Sequence, residues 1–193
     1  MNSQDSKTLQ ELDGVDWGEP PYQSSLVVNC HRLRRVPLRD FRIEDLDLML
    51  GQEISLNWLI PVALQRLADD PWVGEVVFPG SLLRTVLAVP QAFWKQHDDL
   101  RQQLIQVLKS ATVPIEVEED FYPLPLLRMV VAVPRAFWEQ HDDLRQQLID
   151  MLQLAIGQIE HKYPTLADIE LKNAARAKLA ELLSPRSDRE SLK

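Results

Sequence analysis

The most chemically capable residues of this chain are two histidine–aspartate tripeptides and a cysteine next to a histidine. His97-Asp98-Asp99 recurs as His141-Asp142-Asp143, and Cys30 directly precedes His31. Imidazole and carboxylate groups are metal ligands, and a thiolate beside an imidazole can act as a nucleophile. Adjacent residues on a helix point about 100° apart, so neither set can converge on one atom without help from elsewhere. We therefore interpret the tripeptides as capping and turn residues and Cys30 as a small side chain on an apolar stripe, and we expect no metal and no cofactor.

Sequence motifs that would indicate an enzyme are missing. There is no glycine-rich phosphate loop, nucleophile elbow, paired-cysteine zinc motif or zincin helix. Cys30 is the only cysteine, which excludes an internal disulfide and favours a reducing compartment. No apolar run approaches the ~18–20 residues that cross a bilayer, and the polar N-terminus lacks the apolar centre of a secretory signal. We expect a cytoplasmic protein that is not an enzyme and binds no membrane.

The charge of the chain favours a basic protein as its partner. Twenty-nine acidic residues against 21 basic residues give a net charge of −8, which disfavours nucleic acid because that affinity rests on clustered Lys and Arg. The acids concentrate in residues 38–74 and in residues 110–127, and the second segment contains no base. Such clusters are either solvated faces or a surface that steers a cationic protein. On the second interpretation the candidate partner-binding residues are Glu44, Asp45, Asp47, Glu53, Asp69, Asp70, Glu116, Glu118, Glu119 and Asp120.

A long internal repeat is the most unusual feature of the sequence. Residues 75–108 recur 44 positions later as residues 119–152, and an ungapped alignment of the two copies agrees at 23 of 34 positions. Between residues 88–105 and 132–149 the agreement rises to 16 of 18 positions. Structural repeats of this length normally diverge outside their packing positions. Because exposed-type residues such as Gln96 are copied as well, we interpret the repeat as a segmental duplication, and any role proposed for one copy has to fit the other.

The hydrophobic spacing predicts a mostly α fold, a compact single domain over residues 1–193 with a duplicated helix-turn-helix unit. Apolar residues recur every three or four positions, and proline, glycine and capping residues mark the helix ends. We expect residues 1–20 to be partly ordered and residues 184–193 to form a loose tail. The predicted helices are 7–12, 24–35, 43–50 stopped by Gly51, 56–68 capped by Ser55, 81–88 with its copy 125–132, and 165–183.

The amphipathic segment that follows in each copy has two interpretations. Asp99-x-x-Gln102, repeated from Asp143, matches a capping box and indicates a fresh helix start. Phe93 and Leu104 nevertheless keep one helical phase across this point, so a continuous helix also fits. The two interpretations differ in whether the chain turns near residues 98–99.

The aromatic pairs of the two copies are expected in the core. Phe93-Trp94 and Phe137-Trp138 stand at helical spacing from leucines. Chain order favours the first copy for the groove on the N-terminal helices, with the second copy as an added layer that buries Trp138. Phe93 should then be the more costly of the two phenylalanines to remove.

Four segments of the N-terminal half carry a resemblance to a known family. They are TLQELDGVDWGEPPY (8–22), CHRLRRVPLRDFRIEDL (30–46), GQEISLNWLIPVAL (51–64) and FPGSLLRTVLAVPQAFW (78–94). In this order and spacing they resemble the immunity proteins of bacterial contact-dependent growth inhibition systems. The match covers about half of the chain directly, and the second copy extends it to Leu152.

The chain departs from the family pattern at several positions. Asp47 stands where a basic residue is common, Ser55 where glycine is expected, and Ser81 where aspartate is common. The second copy has Leu124-Pro125 in place of Gly80-Ser81. These departures concern the identity of the partner and of the contact surface more than the class of protein.

The resemblance implies a small cytoplasmic protein that binds and neutralises a toxin domain, often a nuclease, delivered by a neighbouring cell. This agrees with the negative charge, because a nuclease active site must attract phosphates and an acidic protein can fill it. The family does not supply contact residues, so the candidates stay the acids named above. The alternative is a helical scaffold or adaptor without a toxin partner, and the sequence does not indicate an oligomeric state.

Overall fold

The fold is helical throughout the part of the chain that the computed structural model describes, namely residues 4–74, 80–111, 123–139, 141–162 and 169–184. These ranges contain eleven α-helices, one 3-10 turn at Leu38–Asp40 and no strand, which confirms the mostly α prediction. None of these helices combines the length and apolar composition that a bilayer-spanning helix needs. The helices are α1 (Leu9–Asp13), α2 (Ser25–Leu33), α3 (Ile43–Gly51), α4 (Leu56–Asp69), α5 (Ser81–Leu87), α6 (Gln91–Gln96), α7 (Asp98–Ala111), α8 (Pro123–Ala132), α9 (Arg135–Trp138), α10 (Asp142–Lys162) and α11 (Ile169–Leu183).

The first two helices begin at side-chain caps, at Thr8 for the helix predicted from residue 7 and at Ser24 for the helix predicted from residue 24. Thr8 Oγ1 accepts a hydrogen bond from the Glu11 backbone N–H, and the Glu11 carboxylate accepts one from the Thr8 N–H at 2.7 Å, which forms a capping box. Gly14 ends α1 in the left-handed region at φ 69°. Ser24 caps α2 through the Val27 N–H at 3.3 Å. These hydrogen bonds set where α1 and α2 begin and end.

Two predicted helix ends need correction. Gly51 lies inside α3 and does not stop it, and the cap position falls on Gln52. Ser55 occupies the cap position of α4 without a side-chain capping bond, because its backbone is left-handed at φ 51° and its hydroxyl points to another partner. At Ser55 a hydrogen bond to the distant Asp13 replaces the local cap.

The break between the amphipathic helices is confirmed in both copies. His97 separates α6 from α7, and its carbonyl accepts the Arg101 N–H at 3.0 Å. His141 stands in the same place before α10, and its carbonyl accepts the Arg145 N–H at 2.9 Å. Each helix therefore begins two residues earlier than a capping box at Asp99 or Asp143 predicts, and both aspartates lie in the first turn.

The chain divides into two compact units, residues 1–104 and 105–193, with the boundary inside α7. In the first unit α3 packs on α2, α4 and α5, and α4 packs on α5. Their shared core is built from fully buried side chains that include Leu46, Met49, Leu59, Ile60, Leu64, Leu82 and Leu83. The predicted contact of the first repeat copy with the N-terminal helices is thus confirmed for α5. A single folding domain over the whole chain stays a prediction.

In the second unit α8, α10 and α11 pack on one another, and α9 packs on α10. Two buried or half-buried cations hold α11 in place. Lys178 of α11 donates to the Val133 carbonyl at 2.6 Å, and Arg145 of α10 donates to the Leu182 and Ser184 carbonyls at 2.6 and 2.5 Å. Corresponding helices of the two copies therefore have different partners, since α5 packs on α3 and α4 whereas α8 packs on α10 and α11.

The aromatic pairs follow the prediction at three of four positions. Trp94, Phe137 and Trp138 are buried, and the predicted burial of Trp138 is confirmed. Phe93 is only half-buried and stacks on the His97 ring with 4.2 Å between centroids. The expectation that Phe93 lies in the core is wrong, whereas Phe137 is 1% exposed.

Some predicted features lie outside the described residues. They are most of the turn at residues 78–80, the first residues of the helix predicted from 165, and the tail beyond Ser184. The duplication itself stays a prediction from the sequence.

Candidate interaction surface

The predicted acidic residues separate into three groups in the structure. Glu44, Glu53, Asp69 and Asp70 are exposed on the first unit. Asp45 and Asp47 are engaged by other side chains, as described below. The acidic residues Glu116, Glu118, Glu119 and Asp120 lie outside the described residues. The first unit therefore carries four exposed predicted acids.

Asp45 is largely buried and is held by partners within the first unit. Its side chain lies in the first turn of α3 and accepts the Arg42 backbone N–H at 3.0 Å. The Arg42 and Arg32 guanidinium groups approach its two oxygens at 3.4 and 3.6 Å. The residue is 7% exposed, so its charge is already compensated within the protein.

A cleft of about 460 Å³ lies between α3 and α5 and includes one residue of α2. Leu26, Ile43 and Leu48 form apolar walls, and Leu26 is 41% exposed. The polar residues of this α3–α5 cleft include Glu44, Asp47, Gln52, Ser81, Arg84 and Thr85. Because Glu44 and Asp47 are three residues apart on α3, they lie on one helix face. The cleft thus places two predicted acids beside an apolar surface.

Asp47 is held at the cleft by a hydroxyl from the opposite helix. Ser81 Oγ donates to Asp47 Oδ2 at 2.6 Å. The other oxygen, Oδ1, is buried and has no hydrogen-bond partner among the described residues. These are two of the positions at which the sequence departs from the family pattern, so the two departures are in direct contact.

A second cluster, which the sequence analysis missed, surrounds Asp13. Its Oδ2 accepts Arg34 Nη1 and Ser55 Oγ, both at 2.7 Å, and its Oδ1 accepts Trp58 Nε1 at 2.8 Å. We call these four residues the Asp13 network. Partial burial by itself would raise the pKa of Asp13, but the hydrogen bonds from Ser55, Arg34 and Trp58 and the Arg34 charge lower it below its ordinary value. The only signal in the sequence was the turn-rich segment that follows Asp13.

The Asp13 network supports an exposed tryptophan. Arg34 is 3% exposed, lies 4.3 Å from the Trp17 ring centroid, and donates to the Val15 carbonyl at 2.9 Å. Trp17 remains 40% exposed and Val15 52% exposed, and both line a hollow of about 430 Å³ together with Glu53. Tryptophan is a residue type enriched at the centre of protein interfaces.

Three of the residues first considered for chemistry, His97, Asp98 and Cys30, make local contacts or are buried in this geometry. Within the described residues no group of three or more His, Cys, Asp or Glu side chains is placed to hold a metal ion. His97 Nδ1 lies 2.9 Å from the Phe93 carbonyl, and Asp98 pairs with Arg101 at 3.1 Å. Cys30 is 5% exposed, and burial raises the pKa of its thiol, as expected of a small buried side chain.

The comparisons with known proteins identify the first unit. Residues 11–104 match the family model of CDI immunity proteins, where CDI is contact-dependent growth inhibition. This half of the chain belongs to the CDI immunity protein family, as the resemblance predicted. The match ends at the last residue of the first unit and excludes the second repeat copy. No curated protein and no solved structure matches the chain.

Proposed function

We propose that this protein binds a cognate CDI toxin domain in the cytoplasm and neutralises it without catalysing a reaction. The observation that carries the proposal is the family match over residues 11–104, which covers almost all of the first unit. Neutralisation of a toxin is the role that this family suggests.

The toxin domain is a basic nuclease, and the protein occludes its active site. A nuclease must concentrate positive charge to hold phosphates, so an acidic protein is attracted to that surface. The exposed acids Glu44, Glu53, Asp69 and Asp70, with Asp47 at the α3–α5 cleft, are the proposed contacts on the first unit. Residues 116–120 add acidic candidates from the sequence alone.

Apolar contacts supply the part of the affinity that salt does not screen. Trp17, Val15 and Leu26 are exposed in the same unit as the acids. Charged rims raise association rates, whereas buried aromatic anchors slow dissociation. Both kinds of residue are therefore expected at the interface.

Growth rescue tests this proposal. The toxin domain encoded beside this gene is expressed in cells with and without the protein, and an unrelated acidic helical protein serves as the control. Restored growth only with this protein supports the proposal. Unchanged toxicity, with the true neighbouring toxin in hand, contradicts it. Binding without rescue would favour the scaffold alternative.

A further inference from the structure

We infer that the α3–α5 cleft is the binding pocket for one arginine side chain of the toxin domain. The inference rests on the proposed function and adds the chemical group that is recognised. It follows from three features of the cleft, which are its shape, its uncompensated carboxylate and the charge at its edge.

The shape of the cleft suits a long side chain with a polar end. The volume is about 460 Å³, and Leu26, Ile43 and Leu48 supply an apolar wall. The methylene stem of a long cationic side chain packs on apolar surface while its charged end reaches polar groups. Here those groups are the carboxylates of Glu44 and Asp47, which also line the cleft.

Asp47 has capacity for a cationic donor that the described residues do not use. Ser81 satisfies Oδ2, whereas Oδ1 is buried without a hydrogen-bond partner among the described residues. No cationic group of the described residues lies within 4.0 Å of the Asp47 carboxylate, in contrast to Asp45 next to Arg32 and Arg42. Because Oδ1 is covered in this structure, an incoming guanidinium contacts it only when the Asp47 side chain turns toward the cleft, and it then supplies a donor to an acceptor that is unfavourable without one.

Glu44 makes the pocket more suitable for arginine than for lysine. Its exposed carboxylate has one ion pair, with exposed Arg42 at 3.9 Å, and such a surface pair is weak. Because Glu44 and Asp47 share one face of α3, a planar guanidinium with five donors can bind both carboxylates. An ammonium group is a point charge and does not match two separated acceptors as well.

Arg84 allows a second test, in which a change of charge should strengthen binding instead of weakening it. Its exposed side chain lines the same cleft and carries the same charge as the proposed guest. Removal of this charge should help an incoming arginine and would harm an incoming carboxylate. The effects of changes at Asp47 and Arg84 should therefore have opposite directions.

The experiment measures the dissociation constant of the full-length protein and a catalytically inactive form of the cognate toxin domain by titration calorimetry. Asp47→Asn should weaken binding ~10–100-fold, since one partner of a desolvated charge pair is lost. Glu44→Gln should weaken it ~2–10-fold and Arg84→Gln should tighten it ~2–5-fold, as expected for charges nearer the rim. Asp40→Asn is the matched control, because it removes one charge from an exposed residue outside the cleft; its effect should stay within about twofold.

Folding is checked separately from binding. The amide oxygen introduced by Asp47→Asn can still accept the Ser81 hydrogen bond, and Glu44 is exposed, so circular dichroism and thermal melting of both variants should match wild type. If Asp47→Asn alters folding, Glu44→Gln and Arg84→Gln still decide the question. On the toxin side, each basic residue is replaced in turn and combined with Asp47→Asn. Coupling to one arginine supports the inference.

Several results would overturn the pocket while leaving the proposed function intact. They are equal weakening by Asp47→Asn and Asp40→Asn, weaker binding of Arg84→Gln, or coupling spread evenly over several toxin lysines. Failure of the wild-type protein to bind the toxin at all would instead contradict the proposed function.

Discussion

The Asp13 carboxylate lies 2.7 Å from the Arg34 guanidinium, across 21 residues of sequence. This contact ties the end of α1 to the end of α2, and the same carboxylate accepts donors from Ser55 and Trp58 near the start of α4. Since Arg34 is almost fully buried and also supports Trp17, the pair positions the exposed aromatic surface as well as the helices.

Replacement of Asp13 by Asn should make stability depend less on pH. The pKa of Asp13 is lower in the folded protein, because the donors around it outweigh the opposing effect of burial. A carboxyl group of this kind stabilises the fold above its unfolded pKa of ~3.9, and the contribution is lost as pH falls through the lower folded value. Asp13→Asn should lose about 2 kcal/mol of unfolding free energy at pH 7.

Urea denaturation at pH 7 and pH 3 measures this effect. The difference between wild type and Asp13→Asn should shrink at pH 3. Glu19→Gln is the control, because Glu19 is exposed and its ion pair with Arg35 spans 3.9 Å. An equal difference at both pH values would show that the Asp13 charge does not stabilise the fold.

Ser55 should tolerate glycine better than alanine. Its left-handed backbone, φ 51°, costs a residue with a Cβ roughly 1–2 kcal/mol. The hydroxyl offsets this by donating to Asp13 at 2.7 Å and accepting from Arg34 at 3.2 Å. Ser55→Ala loses both bonds and keeps the strain, which should cost ~1.5–3 kcal/mol, whereas Ser55→Gly loses the bonds and the strain together.

The comparison of these two variants is a denaturant titration at pH 7. We expect Ser55→Gly within about 1 kcal/mol of wild type, because the lost bonds and the relieved strain are of similar size. Equal losses for both variants would mean that the backbone at this position is not strained.

The fold was predictable from the sequence where local chemistry decides, and not where distant residues decide. The helices predicted from residues 24, 43, 56 and 81 begin within one residue of those positions, since helix starts depend on neighbours in the chain. Burial of Asp45 could not be read from the sequence, because it depends on Arg32 reaching from another helix. The contact between Ser55 and Asp13 spans 42 residues and was missed for the same reason.

The candidate site was predictable only in part. The acidic character of residues 44–47 was visible in the sequence, but the cleft depends on how α3 and α5 pack. Ser81 entered as a departure from the family pattern, without any sign that it meets Asp47. Spacing along the chain gives the face of a helix and does not give its neighbour.

Phe137→Ala should cost more unfolding free energy than Phe93→Ala, which is the reverse of the prediction from the sequence. Phe137 is 1% exposed, so Phe137→Ala should cost ~3–5 kcal/mol of local unfolding free energy. Phe93 is half-buried, and Phe93→Ala should cost about 1–2 kcal/mol, in proportion to the smaller area that it buries. Hydrogen exchange reports each unit separately. A larger loss for Phe93→Ala would contradict the observed burial.

The repeat also supplies a matched pair of arginines. Arg145 donates to two carbonyls at the end of α11, whereas Arg101 pairs with exposed Asp98 and its Nε has no partner among the described residues. Arg145→Gln should therefore destabilise α11 by ~1.5–3 kcal/mol, and Arg101→Gln should stay within about 0.5 kcal/mol of wild type. Protection of the α11 amides in hydrogen exchange is the measurement. Equal effects of the two changes would mean that α11 does not depend on Arg145.

Inhibition of the purified toxin tests the central claim most directly. Toxin activity is measured on its substrate while this protein is added in increasing amounts, at low and at high salt. Neutralisation by occlusion predicts that activity falls to background as the complex saturates, and that higher salt shifts the titration to higher protein concentrations. Full toxin activity in a saturated complex, or no complex with the cognate toxin, would contradict the account.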